Sequence, residues 1–162
     1  MSEKLYETIE ISNLKDMLNK TKNIYGEKPA YKIKQEEGKY KIITHKQVRE
    51  MVDALGTALI DLGLKNKRIA IVGRNRYEWG VAHLANLLGG IVSVPLDKEL
   101  QVDELESCLE RSKADVVIFD EKYIENIEEI KRRGNTNLQE YICMTEKDGY
   151  SNFWDLKEKG KK

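Results

Sequence analysis

The 162-residue sequence predicts an α/β fold: a three-layer, mostly parallel sheet flanked by helices, with an N-terminal helix and β-hairpin ahead of it. Short, continuously apolar runs such as IAIV and VVIF read as strands covered on both faces. These runs alternate with stretches of helical periodicity, the pattern of βαβ units and parallel pairing. The length suffices for one domain with a real core. A single domain over 1–162 is expected, with the helix and hairpin in 1–43, the βαβ core in 44–145 and a C-terminal segment in 146–162.

Asn13 to Tyr25 reads as a helix with Leu14, Met17, Leu18 and Ile24 on one face and Gly26 as the stop. Pro29 opens an extended region, in which Ala30–Lys34 and Tyr40–Thr44 flank the turn QEEGK as a hairpin. Thr44 and Gln47 form the T-x-x-Q pattern of a capping box. The helix they open carries Val48, Met51, Val52, Leu55, Leu59 and Leu62 at helical spacing and ends at Gly63. Strands are then expected at Arg68–Val72, Ile91–Val94, Val116–Phe119 and Tyr141–Met144. Helices are expected at Asn75–Leu88, Val102–Ser112, Lys122–Arg132 and Phe153–Lys159. The polar ending KEKGKK is expected to fray.

Charge is balanced, with 28 basic and 28 acidic residues. That argues against a nucleic-acid or anionic-membrane partner, either of which favours a concentrated basic face. The opening MSEKLYETIE has no apolar core and does not read as a signal peptide. Trp79 to Leu96 is uncharged and approaches membrane-spanning length. However, His83, Asn86, Gly89-Gly90 and Pro95 break it into a helix, a turn and a strand. Cys108 and Cys143 lack metal-ligand spacing and make no disulfide framework, so they read as small apolar side chains in a reducing cytoplasm.

Within RIAIVGRNRYEWGVAHLANLLGGIVSVPL, an apolar strand ends at a glycine and a helix follows, as in a nucleotide-phosphate cradle. The junction Gly73-Arg74-Asn75-Arg76 has one glycine, where a dinucleotide fingerprint needs three, and no Walker loop exists in the chain. Asn75 is expected to cap the helix, Glu78 to favour its N-terminal dipole and Gly73 to relieve the turn. Arg74 and Arg76 are the candidates for holding an anion there. His45 and His83 show no partner. Asp97, Asp115 and Asp120 flank strands, where capping and turn roles compete with ligand binding. Trp79 and Trp154 read as core or interface anchors. No nucleophile–base pair, catalytic residue or metal site is legible.

The run from ITHKQVREMVDALG to DVVIFDEK resembles the N-terminal part of AMP-forming acyl-CoA synthetases, in the adenylate-forming ligase superfamily. The matching residues are Thr44, Gly63, Asn75, Glu78, Trp79, Gly90, Val92, Val94, Pro95 and Leu96. His45 replaces the usual aromatic after the threonine, and Asn66-Lys67 replaces the usual Gly-Asp. The stretch GYSNFWDLKEKG is similar to the segment just before the family's phosphate loop. The Asn-x-x-Glu-Trp and Val-Pro-Leu wording leans toward the long-chain fatty-acid branch.

The resemblance implies that a parent protein activates a fatty acid with ATP and Mg to an acyl-adenylate, then passes the acyl group to coenzyme A. The family's Ser/Thr/Gly-rich loop, its aromatic-Gly-x-Thr-Glu segment, its ribose-binding aspartate and its catalytic lysine are not in these 162 residues. The chain is therefore expected to be a structural subdomain, silent alone, with no cofactor of its own and with the remaining segments of the parent as its partners. Uncovered apolar surface is expected to favour a homodimer. The alternative is a free-standing α/β module that binds a small ligand or a protein near Arg74, Asp97 and Asp120.

Overall fold

The computed structural model describes residues 8–161, so the first seven residues of the charged N-terminus and Lys162 lie outside it. The chain divides into two compact units, one ending at Arg49 and the other beginning at Glu50. The division falls inside a helix.

The first unit holds a helix α1 (Leu14–Tyr25) and an antiparallel hairpin, β1 (Pro29–Lys34) with β2 (Tyr40–Thr44). Asn13 caps α1 by accepting the Asp16 amide. Leu18 is buried on the inner face of α1, whereas Ile24 is exposed, so the apolar stripe is shorter than its spacing suggests. The QEEGK segment makes the turn expected of it, with Glu37 and Gly38 both at positive φ. The next helix α2 (His45–Asp61) opens with the predicted capping box. The Gln47 amide donates to Thr44 Oγ1 at 3.2 Å and the Thr44 amide to Gln47 Oε1 at 2.9 Å. Two of the helix's orphan N-terminal donors are thereby satisfied from the sequence's own pattern.

The second unit is an open sheet with the strand order β4-β3-β5-β6-β7, parallel throughout. Its elements are β3 (Arg68–Val72), α3 (Tyr77–Leu88), β4 (Val92–Pro95), α4 (Val102–Ser112), β5 (Val116–Phe119), α5 (Ile124–Arg133), β6 (Glu140–Cys143), β7 (Ser151–Asn152) and α6 (Phe153–Lys159). Lys157, Glu158 and Lys159 form the end of α6, and the Lys161 amide bonds the Glu158 carbonyl beyond it, so the first half of the polar ending is helix. The two-residue strand β7 has no sequence signal; it exists because Ser151 and Asn152 lie beside Ile142 and Cys143.

Alternate strand residues serve two cores, as a strand buried on both faces requires. Ala70, Val72, Val117, Phe119 and Cys143 pack with Leu105 and Leu109 of α4 and Ile127 and Ile130 of α5. Ile69, Ile71, Ile118 and Ile142 occupy the alternate strand positions and are fully buried. On that side α2, α3 and α6 meet. Gly56 of α2 lies against the Ala85 carbonyl of α3. Gly160, capping α6, sits so close to α2 that a Cβ there would fall 1.8 Å from the Ala54 carbonyl oxygen. The sheet is thus covered by helices on both faces, as predicted.

Two departures from the family pattern have local explanations. Asn66 stands at φ 64°, the left-handed region that Asn tolerates better than most side chains, so it can serve where glycine is usual. His45 places its ring 5.9 Å from that of Tyr25, an aromatic contact made by imidazole instead.

Candidate functional site

In this strand order the connections leave β3 in opposite directions. α3 leads to β4 on one side, and α4 carries the chain back to β5 on the other. The crevice outside the carboxyl ends of β3 and β5 is therefore the topological switch point, where open α/β sheets place their ligands. The residues that follow those ends are Gly73-Arg74-Asn75-Arg76 and Asp120-Glu121.

Asp120 is fully buried and its amide bonds the Val72 carbonyl, which locks the two strand ends together. Its carboxylate accepts from Arg74 Nε at 3.0 and 3.1 Å, from Arg74 Nη2 at 2.8 Å, from Arg76 Nη1 at 3.2 Å and from the Lys122 amide at 3.0 Å. Arg74 Nη2 also reaches Glu121 at 2.5 Å. Arg76 forks onto Glu78 at 2.8 and 3.0 Å and touches Glu121 at 2.9 Å. Thr145 Oγ1 donates to Glu121 at 3.1 Å. Gly73 makes this possible by its size: a Cβ there would lie 3.1 Å from the Asp120 Cβ. Its φ is not positive, so the expected role of relieving a turn is replaced by one of close approach.

The electrostatics follow from these contacts. Burial pushes the Asp120 carboxyl up, but the Arg74 guanidinium, the Lys122 amide and Arg76 outweigh it, and the net shift is downward. Arg76 is held in its charged form chiefly by the hydrogen bonds to Glu78, and Arg74 by Asp120. Burial and then the neighbouring Glu78 raise the Tyr77 phenol. Three carboxylates face two guanidinium groups, so the cluster carries about one net negative charge. An anion entering here would have to displace the chain's own acids from both arginines. What the arrangement does is fasten the β3–α3 loop to the end of β5.

Asn75 does not cap α3. The helix begins at Tyr77 behind Arg76, whose extended backbone (φ −142°, ψ 156°) makes no side-chain cap bond. The physical reason is the network itself: the chain stays extended through Arg76 so that both arginines reach Asp120, and Asn75 is left exposed. Glu78 lies in the first turn as expected, but buried and engaged by Arg76. Asp97 makes a local turn by accepting the Glu99 amide at 2.9 Å. Asp115 works at the opposite end of β5, accepting from the Arg68 amide at 2.8 Å and from Lys67 Nζ at 3.2 Å. Gly90 (φ 68°) and Pro95 bracket β4. Pro95 is tolerated because β4 is an edge strand and the amides that bond β3 fall at alternate positions, Val92 and Leu96 among them, which leaves position 95 facing the open edge where no donor is needed.

His83 has partners that its sequence position did not reveal. Its ring stacks on Trp79, with centroids 5.3 Å apart and planes 29° apart, and its Nδ1 lies 2.9 Å from Ser93 Oγ. Asn86 Nδ2 donates to the same hydroxyl at 3.3 Å. Trp154 packs its ring on those of Tyr77 and Phe153, and the fully buried anchor is Phe153. Cys143 is buried and Cys108 half-buried, both as free thiols. Among the described residues no group of three or more His, Cys, Asp or Glu is arranged to hold a metal ion, and no helix is long and apolar enough to cross a membrane.

Fold and site together define an open, doubly wound parallel α/β unit whose switch point is closed by its own ion pairs. Comparison with known proteins places it more narrowly. The sequence model of the family described as AMP-binding enzyme matches residues 18–161, and the chain belongs to that family. It is 34% identical over 91 residues to fatty acyl-CoA synthetase A of Dictyostelium discoideum, covering 56% of this chain and 14% of that protein. It is 31% identical over 128 residues to long-chain-fatty-acid–CoA ligase 5 of Rattus norvegicus, covering 76% of this chain and 18% of that protein. The crystal structure of a putative long-chain-fatty-acid CoA ligase from Rhodopseudomonas palustris superposes with a TM-score of 0.76 at 20% identity, covering 88% of this chain and 35% of that one. The chain thus spans less than a fifth of the length of either curated relative.

Proposed function

We propose that this chain is the N-terminal structural subdomain of an AMP-forming long-chain fatty acid–CoA ligase and is catalytically silent alone. The parent would join a fatty acid to AMP, releasing pyrophosphate, and then transfer the acyl group to coenzyme A. ATP, Mg and coenzyme A belong to that parent. The family match over residues 18–161 supports the parent's chemistry. The observation that carries the structural role is the switch point: Arg74 and Arg76, the cations best placed for phosphate, are committed to Asp120, Glu121 and Glu78. Adenylyl transfer depends on cations and donors preorganised around phosphates, and this crevice presents carboxylates instead.

The partners in this reading are the remaining segments of the parent, and the compartment is the cytoplasm, which two free thiols suit. Exposed Ile24, Tyr40 and Ile42 in the first unit, and Ile60, Leu62, Leu87 and Val92 in the second, favour a homodimer when those segments are missing. Light scattering across a concentration series tests the dimer; a monomer at every concentration refutes it. The functional test is fatty-acid-dependent exchange of pyrophosphate into ATP. The isolated chain should give none, and a parent-length protein containing it should give exchange that needs Mg. Exchange by the isolated chain would overturn the reading.

A further inference from the structure

The cluster on the β4 side of α3 is separate from the switch point and plays no part in the reading above. Ser93 is half-buried on edge strand β4, and His83 and Asn86 reach it from α3. Asn86 Nδ2 has only hydrogens to offer, so it fills one lone pair of Ser93 Oγ at 3.3 Å. His83 Nδ1 lies 2.9 Å away, and in the tautomer that carries the ring proton on Nε2 it accepts the hydroxyl proton. The stack on Trp79 fixes the plane of that ring. Asn86 is fully buried and its Oδ1 has no hydrogen-bond partner among the described residues, so the amide is held here at a desolvation cost.

The strand supplies one more element. The amides of Val92 and Leu96 both bond β3, to the carbonyls of Lys67 and Ile71. Alternation along a strand therefore turns the Ser93 amide toward the outer edge, where the described residues provide no further strand. A hydroxyl hydrogen-bonded to an imidazole, with a backbone N–H beside it on an open edge, is the arrangement of an activated nucleophile.

We propose that Ser93 is an acyl-acceptor site, with His83 as its general base and Asn86 and Trp79 as positioning residues, and that it takes acyl groups from activated esters and thioesters. In the step, Ser93 Oγ forms a bond to the acyl carbonyl carbon and its proton passes to His83 Nδ1. The bond from that carbon to the leaving group breaks, and its electron pair departs with the alkoxide or thiolate, which takes the proton from His83 or solvent. The products are an ester on Ser93 and a free alcohol or thiol, with no oxidant or reductant required.

The test is acylation of the 162-residue chain by p-nitrophenyl acetate at neutral pH, read by peptide mapping. This probe does not depend on the ligase reading, so the two can fail separately. One acetyl ester should form on Ser93, be absent in Ser93→Ala, and form about 100-fold more slowly in His83→Gln, the loss expected for removing a general base. Circular dichroism establishes that each variant is folded. If His83→Gln does not fold, His83→Phe keeps a ring against Trp79 while removing the base, and should show the same loss. Acetyl groups confined to lysines, or Ser93 labelled at an unchanged rate in a folded His83 variant, would overturn the proposal.

Discussion

Replacing Asp120 by alanine tests the switch-point network directly. The substitution removes a fully buried carboxylate that accepts from Arg74, Arg76 and the Lys122 amide. Removing one partner of a buried ion pair costs about 3–5 kcal/mol because the other charge is left uncompensated. Two facts place this case at the low end. The Arg74 side chain is 51% exposed and can turn to water, and Arg76 keeps Glu78 and Glu121. The expected cost is therefore about 3 kcal/mol, or roughly 6–12 °C in melting temperature for a chain of this size. Urea unfolding followed by the fluorescence of Trp79 and Trp154 reports on the second unit, which contains both.

The pH dependence has a definite sign. The folded-state pKa of Asp120 is depressed. Its contribution is present above the unfolded value of about 3.9 and is lost as pH falls through the folded value. Wild type and Asp120→Ala should therefore differ by a constant amount from pH 8 to pH 5 and converge in stronger acid. Burial should leave the difference largely insensitive to salt. A difference below about 0.5 kcal/mol at pH 7, the range of an ordinary surface change, would refute the claim that this network fastens the sheet.

Three further outcomes follow from particular contacts. Gly160→Ala should destabilise by about 1–3 kcal/mol, because its Cβ would meet the Ala54 backbone of α2 at 1.8 Å, while Lys159→Ala on the exposed neighbour should change little; thermal unfolding distinguishes them. Thr44→Ala should cost about 1 kcal/mol through loss of the capping box, with faster amide exchange confined to the first turn of α2. Millimolar pyrophosphate should not raise the melting temperature, since both arginines at the switch point are engaged; a rise of several degrees would show that the crevice opens to anions.

The sequence by itself determined the alternation of strands and helices, the parallel sheet and the capping box at Thr44. These rest on local chemistry: continuous apolar runs such as VVIF, helical spacing of Val52, Leu55 and Leu59, and a four-residue cap. It also brought out the resemblance that the family match bears out. Tertiary structure decided the rest. The order β4-β3-β5-β6-β7 brings Asp120 beside Arg74 across 46 residues of chain, and that proximity, not propensity, overrides Asn75 as a cap. Asp120 was visible as an acid at a strand's end, but its partners depend on which strands are neighbours. His83 and Ser93 meet for the same reason, because α3 lies over β4. The strand β7 and the fit of Gly160 on α2 are likewise products of packing between distant segments. A sequence records the period and punctuation of each element; which surfaces touch is set only when burial of all of them at once selects a single arrangement.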